Sequence, residues 1–249
     1  MRRARERHPT AAGLKLYNAS TFFEPASIAQ HDLRPVAAAL AGLSLVVVEA
    51  RSENARAAVE FARLIDGRLE VAIGVEAADD ELLRALNKPT STRAFRAAAQ
   101  ALTAAGVFLR AFVLIKPPFV GEGEAVALAV RTFELARDEG ARVVSLLPVV
   151  AADAPLERLG RAGFHGLPSL DTVWEAAVAC AGRGVVVIVE LEHLVSLPAC
   201  PACGERRRAA LAELNRGGRL GEVGCTDHRP PAATPVRPFS SAAVLAALR

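Results

Sequence analysis

The chain has 249 residues, 52% of them hydrophobic, with 30 basic against 27 acidic residues and a formal charge of +3. That is enough apolar material for a full core, and α/β barrels of about 250 residues commonly form one domain. No apolar run approaches the ~20 residues that cross a bilayer, so a membrane-spanning role is excluded from the reading, and the mild charge permits an anionic substrate without indicating general nucleic-acid binding.

The basic start, Met1 to Arg7, has no apolar stretch behind it and does not read as a secretory signal. Of the 4 cysteines, Cys200, Cys203 and Cys225 crowd toward the C-terminus, so a reducing cytoplasm is the expected compartment. Lysine occurs only at Lys15, Lys88 and Lys116 in a chain that otherwise uses arginine. An ammonium is not interchangeable with a guanidinium, which marks these three positions as chosen for their chemistry.

A first strand is predicted at Leu14–Tyr17, ending in the small polar run Asn18, Ala19, Ser20, Thr21. A helix from about Ser27 to Leu40 follows, bent or split at Pro35. Leu45–Val48 then runs into Glu49, Ala50 and Arg51, and Ser52 is the expected cap of a helix through Ile65. The next strand, Val71–Val75, ends in Glu76; Asp79 and Asp80 place negative charge at the start of a short helix, Glu81–Leu86. Ser91 or Thr92 caps a longer helix ending at Gly106. Strand Ala111–Ile115 runs into Lys116, and the helix Glu122–Glu139 stops at Gly140. Val143–Leu147 runs into Pro148, a helix holding Trp174 and Cys180 opens at Ser169 or Asp171, and Val185–Val189 runs into Glu190.

Five of these runs are apolar on both faces, the mark of parallel strands covered by helices. No phosphate-binding G-x-G-x-x-G or G-x-x-x-x-G-K-[ST] follows any strand. The expectation is an α/β chain, a partial (β/α)6 TIM-type barrel over residues 10–195, with a metal-binding segment at 196–230. A proline-rich tail with a short helix then fills 231–249. Ligands of such barrels sit at the carboxyl ends of the strands, where Glu49, Arg51, Glu76 and Lys116 fall. On composition alone, Arg51 and Glu76 also fit an ordinary ion pair, and Lys116 a strand-end cap.

Near the C-terminus, Cys200-Pro201-Ala202-Cys203 and Cys225-Thr226-Asp227-His228 form C-x2-C and C-x2-H pairs 21 residues apart. Two such pairs complete a tetrahedral Cys3His set, for which zinc is the first choice and an auxiliary iron–sulfur cluster the second. Such a closed set leaves no open position for water, which argues against a zinc hydrolase. The basic helix between the pairs, Glu205–Leu214, has little apolar surface, so the metal is its expected anchor. Arg206, Arg207 and Arg208 read as a solvated face, Cys180 as a buried core thiol, and Glu190, Glu192 and His193 as a solvated strand end. His8, His31 and His165 carry no assignment.

Six segments in register carry a resemblance: Lys15–Pro25, Val48–Glu53, Ala72–Ala77, Leu86–Lys88, Leu114–Phe119 and Val144–Pro148. Together they resemble the core of the radical S-adenosylmethionine enzymes, in the branch of the Elp3 and MiaB tRNA modifiers, NifB-like proteins and archaeosine-synthase radical proteins. The resemblance implies S-adenosylmethionine and a [4Fe-4S] cluster as cofactors, a nucleotide, tRNA or other small substrate, and a flavodoxin or ferredoxin as electron donor. It places Asn18, Ala19 and Ser20 at the methionyl amino group, Glu49 and Arg51 at the carboxylate, and Gly74 and Glu76 on the ribose side. Leu147 and Pro148 fall beside the adenine, and Lys116 on the same rim. The family's cluster triplet, C-x3-C-x2-C, belongs upstream of the segment matching Lys15, while the first cysteine here is Cys180. The chain is therefore expected to be truncated or inactive as given, or to be a non-catalytic partner that keeps the barrel as a scaffold.

Overall fold

Apolar runs with β-branched residues become strands here: β1 (Gly13–Leu16), β2 (Leu45–Ala50), β3 (Arg68–Glu76), β4 (Phe108–Ile115), β5 (Val143–Pro148) and β6 (Val186–Val189). The computed structural model describes residues 7–8, 10–17, 21–150, 154–237 and 239–240. Its strands join one sheet in the order β1-β2-β3-β4-β5-β6. The pairing is parallel between β1 and β2, β2 and β3, and β5 and β6. Sequential order with helical crossovers is the topology of a partial (β/α)6 barrel, as the patterning predicts. Every predicted strand lies within a few residues of its place.

The helices are α1 (Leu33–Ala39), α2 (Ala55–Ala62), α3 (Asp80–Ala85), α4 (Thr92–Ala104), α5 (Glu122–Asp138), α6 (Ala154–Arg161), α7 (Leu170–Cys180) and α8 (Gly204–Gly217). Two caps form at predicted positions, and Asp79, expected only as negative charge at a helix start, is a third. Asp79 Oδ1 accepts from the N–H groups of Glu81 and Leu82 at 3.0 and 2.9 Å, Ser91 caps α4, and Ser169 caps α7. Gly140, at φ 87°, takes the left-handed turn that ends α5.

Two expectations need correction. The helix predicted from Ser27 is a 3-10 turn, Gln30–Asp32, followed by α1, with Pro35 inside the first turn of α1. There its missing N–H removes no hydrogen bond, so the ring neither bends nor splits the helix. Ser52 does not cap α2; it opens a 3-10 turn, Ser52–Asn54, and Asn54 Oδ1 accepts from the N–H of Arg51 at 3.2 Å.

By its contacts the chain divides into two units. The first comprises Met1–Val75, Thr90–Ala111 and Asp138–Arg142. Its core joins Val46, Val48, Val71 and Ile73 to Phe61 of α2 and Phe95 and Leu102 of α4, all at most 1% exposed. Burying each such side chain contributes about 1.5–3 kcal/mol. Phe22 and Phe23 pack on Phe61 with ring centroids 5.3 and 5.7 Å away. The buried Arg110 guanidinium and Glu70 carboxylate meet at 2.6 Å, so neither charge stands alone.

The second unit comprises Glu76–Pro89, Phe112–Arg137 and Val143–Arg249. Leu146, Val189, Phe133 and Val173 are buried there. Strand β6 stands at the edge of the sheet, and Asn215 of α8 covers its backbone. The Asn215 amide donates to Val189 O at 2.7 Å and accepts from Val189 N at 2.8 Å. Leu211 and Leu214 are also buried, and Arg208 Nε donates to Leu194 O at 3.0 Å. Helix α8 is therefore anchored by its own side chains, which corrects the expectation that only a metal would hold it. The tail over 229–237 has no regular structure, yet Arg237 N donates to Gly163 O at 2.7 Å and Phe239 packs on Phe119 at 5.1 Å. The short helix expected at the C-terminus lies outside the described residues.

Candidate functional site

In the first unit, β2 delivers Glu49 and Arg51 to its carboxyl end. The N–H of Phe22 donates to Glu49 O at 2.8 Å, and Thr21 Oγ1 donates to Asn54 Oδ1 at 3.0 Å. These bonds stitch the segment after β1 to the end of β2. Asn18, Ala19 and Ser20, which immediately precede it, lie outside the described residues. Arg51 Nη1 sits 3.4 Å from Glu24 Oε2 and 3.6 Å from Glu53 Oε1, with the side chain 46% exposed. Both distances exceed the ~2.7–2.9 Å of a tight charge-assisted bond, so the guanidinium keeps donor capacity. Gly74 lies half-buried within β3.

In the second unit, Glu76 ends β3 at φ 62°, and its Oε2 meets Lys88 Nζ at 3.2 Å. The composition-only alternative, a pair between Arg51 and Glu76, is not what forms: Glu76 pairs with Lys88, and Arg51 with Glu24 and Glu53. Asn87 and Lys116 also take left-handed φ, 53° and 51°. Non-glycine residues in that region cost about 1–3 kcal/mol each and cluster at functional sites. Leu147 and Pro148 end β5 half-buried.

Lys116 differs from the other strand-end residues. It is fully buried, and its ammonium donates to Gly166 O and Leu167 O at 2.9 Å each and pairs with Glu122 Oε2 at 3.1 Å. Burial pushes the Glu122 carboxyl up, but bonds from Thr172, Ser169 and Lys116 outweigh it and hold the group below 4.5. Burial, and then the charge of Lys116, hold His165 below 6.5. Three donors on three acceptors leave the Lys116 ammonium no further bond to offer.

The C-terminal pairs converge as their spacing predicts. One ligand atom each of Cys200, Cys203, Cys225 and His228 lies within 4.8 Å of all the others, and Cys200 and Cys203 are buried. The two ends of the segment meet because Cys203 precedes the first turn of α8 while Gly218, at φ 67°, turns the chain back after it. The N–H groups of Arg229, and then of Ala202 and Cys203, point at Cys200 and hold its thiol down to about 6 against burial. Burial pushes Cys203 up to about 11. A set with one thiolate already favoured and its neighbours packed alongside is the donor chemistry of a soft cation site.

Other expectations settle on geometry. Cys180 is fully buried with its thiol pushed up to about 12 by burial, consistent with a core thiol. Glu190 Oε1 accepts from the N–H groups of Leu191 and Glu192 at 2.9 and 3.1 Å, so it closes its own turn. The Arg206–Arg208 run is not a uniformly solvated face. Arg207 pairs with Asp171 of α7, and both side chains are about nine-tenths buried. Sequence reasoning treated Asp171 only as a possible helix cap; nothing local marks its partners, which lie 36 and 57 residues downstream.

No established family profile matches the chain. A segment of 120 residues is 30% identical to archaeosine synthase subunit beta of Thermococcus kodakarensis, covering 45% of this chain and 37% of that protein. Among solved structures, Elp3 of Methanocaldococcus infernus lacking its N-terminus (1–46) superposes with a TM-score of 0.53 at 15% identity. That match covers 71% of this chain and 43% of the Elp3 chain. The present chain thus spans less than half the length of either relative. The first agrees with the resemblance carried by the strand-end segments, and the second with the partial-barrel fold.

Proposed function

As a relative of the radical S-adenosylmethionine, Elp3-like proteins, this chain acts, we propose, as the cofactor-binding barrel of a radical enzyme. The observation that carries this reading is the run of strand-end segments from Lys15 to Pro148, supported by 30% identity to the archaeosine synthase subunit. Arg51 forks onto the cofactor carboxylate, exchanging its long contacts with Glu24 and Glu53 for a bidentate one. Glu49 flanks the same group, and Asn18, Ala19 and Ser20 receive the methionyl amine. Glu76, loosely held by Lys88, accepts from the ribose hydroxyls, beside Gly74, where a side chain is absent. Leu147 and Pro148 pack the adenine. Lys116 takes no cofactor contact in this reading; it ties the end of β4 to the segment at Gly166 and Leu167.

When bound beside a reduced [4Fe-4S] cluster, S-adenosylmethionine supplies a 5′-deoxyadenosyl radical for hydrogen abstraction. The residues here do not fit that cluster. The first cysteine is the buried Cys180, and the other three converge with His228. No step through the cluster is assigned to this chain. The Cys3His set suits zinc in a closed structural site, since an imidazole with three thiolates completes a tetrahedron. Kinship points to tRNA or another nucleotide as substrate and to a flavodoxin- or ferredoxin-type donor.

Calorimetric titration of S-adenosylmethionine into the purified chain tests the reading. Binding is expected, weakened about tenfold by Arg51→Ala through the loss of a charged hydrogen bond. The competing reading is a partner protein that keeps the scaffold. A chain that takes up no S-adenosylmethionine would decide for it.

A further inference from the structure

The two ring nitrogens of His228 have separate surroundings. Nδ1 lies 3.6 Å from the sulfur of Cys203, a residue of the converging group. Nε2 meets Asp171 Oδ2 at 3.1 Å. Asp171 belongs to α7, outside the ribbon, and is only 7% exposed. Its other oxygen, Oδ1, accepts from Arg207 Nη1, and the Arg207 guanidinium lies 5.5 Å over the Trp174 ring.

A carboxylate buried to this degree is costly unless its oxygens are satisfied. Oδ1 is satisfied by Arg207. Among the described residues Oδ2 has no hydrogen-bond partner, and the facing imidazole nitrogen, 3.1 Å away, is placed to supply one. It is satisfied only when the imidazole carries its proton on Nε2. In the neutral ring that leaves the lone pair on Nδ1, the nitrogen that faces Cys203.

We infer that His228 binds metal through Nδ1, and that Asp171 is the positioning residue that holds Nε2–H and aims the ring. The inference rests on the Cys3His reading above. It assigns Asp171 the part that carboxylates play behind metal-bound imidazoles, fixing tautomer and orientation and raising ligand basicity. Arg207 completes the arrangement. Three thiolates around a divalent zinc leave one net negative charge, the Asp171 carboxylate adds another, and Arg207 pairs with Asp171 while its charge also acts on Cys203. The Arg207 guanidinium thus offsets the negative charge that the metal set and Asp171 bring together against α7. No feature of the ribbon's own sequence shows it.

The test uses the full chain stripped with a chelator and reloaded with zinc alone. Proton–nitrogen correlation spectra of the histidine rings read the ligating nitrogen without any substitution. Nδ1 coordinated with Nε2 protonated is expected, and the reverse overturns the inference. Competition with a chromophoric chelator then gives zinc affinity. Asp171→Asn should lose about 10–100-fold in affinity while still binding one zinc at saturation and keeping its helical circular dichroism. Equal affinity in Asp171→Asn and wild type overturns the inference and leaves the metal site standing. A wild-type chain that takes up no zinc, or a Cys203→Ser chain that keeps it, overturns the Cys3His reading itself.

Discussion

At the end of β2, Arg51 is divided between Glu24 and Glu53 at 3.4 and 3.6 Å and remains half in water. At the C-terminal ribbon, three cysteines and a histidine bring one ligand atom each within 4.8 Å of the rest, with Cys200 and Cys203 buried. The strand end holds charges that already have partners and can trade them for a ligand at little cost. The ribbon holds donors packed against one another, whose thiols compete for protons and whose convergence makes sense around a cation. A strand end is prepared by weak pairing, a metal site by crowding.

The largest expected effect breaks the ribbon. Elemental analysis should find about one zinc per chain, and Cys203→Ser should abolish it; structural zinc contributes on the order of 10 kcal/mol in small zinc domains. Hydrogen exchange should then accelerate at 200–203 and 219–228, while α8 keeps its protection through Leu211, Leu214 and Asn215. Loss of α8 protection together with the metal would show that the helix depends on the ion after all.

Next in size is the pair beneath the end of β4. Glu122→Gln leaves the buried Lys116 ammonium without its counter-charge, and breaking such a pair costs about 3–5 kcal/mol, read by denaturant unfolding. The pH dependence carries a definite sign. Glu122 is held below 4.5, so its contribution is complete above that value and is lost as pH falls through the lowered one. His165 is held below 6.5, so the folded state resists its protonation and loses stability as pH drops below that value. Acid should therefore destabilise the chain in two steps, and Glu122→Gln should remove the lower one.

Arg51→Ala should weaken S-adenosylmethionine binding about tenfold while moving unfolding stability by less than about 0.5 kcal/mol, as for exposed ion pairs. A large loss of stability instead would make Arg51 a structural strut and erase the contrast with the ribbon. The smallest effect sets the baseline. Arg56→Ala removes an exposed pair with Glu60 at 3.1 Å and should shift stability by no more than about 0.5 kcal/mol.

The sheet was legible because two-faced apolar runs such as Val46–Val48 have few other places to go. Caps at Ser91 and Ser169 were legible because their bonds are made within three residues. The Cys/His pairs were legible because a knuckle sets ligand spacing locally. Helix α6 was missed: within its 8 residues, which include Pro155 and Gly160, Leu159 alone is buried. The partners of Lys116 and Asp171 were invisible for a different reason. Gly166 O, Leu167 O, Arg207 and His228 reach them across 36 to 57 residues, and no local pattern records such a meeting. Sequence spacing reports what neighbours in the chain do together, and these groups become neighbours only in the fold.

With only three lysines, the sealed ammonium of Lys116 turns the chain into its own reporter of opening. An amine-reactive acylating reagent meets Lys15, which is exposed, and Lys88, whose side chain is 38% exposed. Lys116 offers it no surface at all. Mass spectrometry of briefly labelled protein should find two modified amines besides the N-terminus, and the third should appear only at the rate at which the end of β4 parts from Gly166 and Leu167. That rate, followed with and without S-adenosylmethionine, would measure how strongly a ligand holds the end of β4 against Gly166 and Leu167, using no substitution.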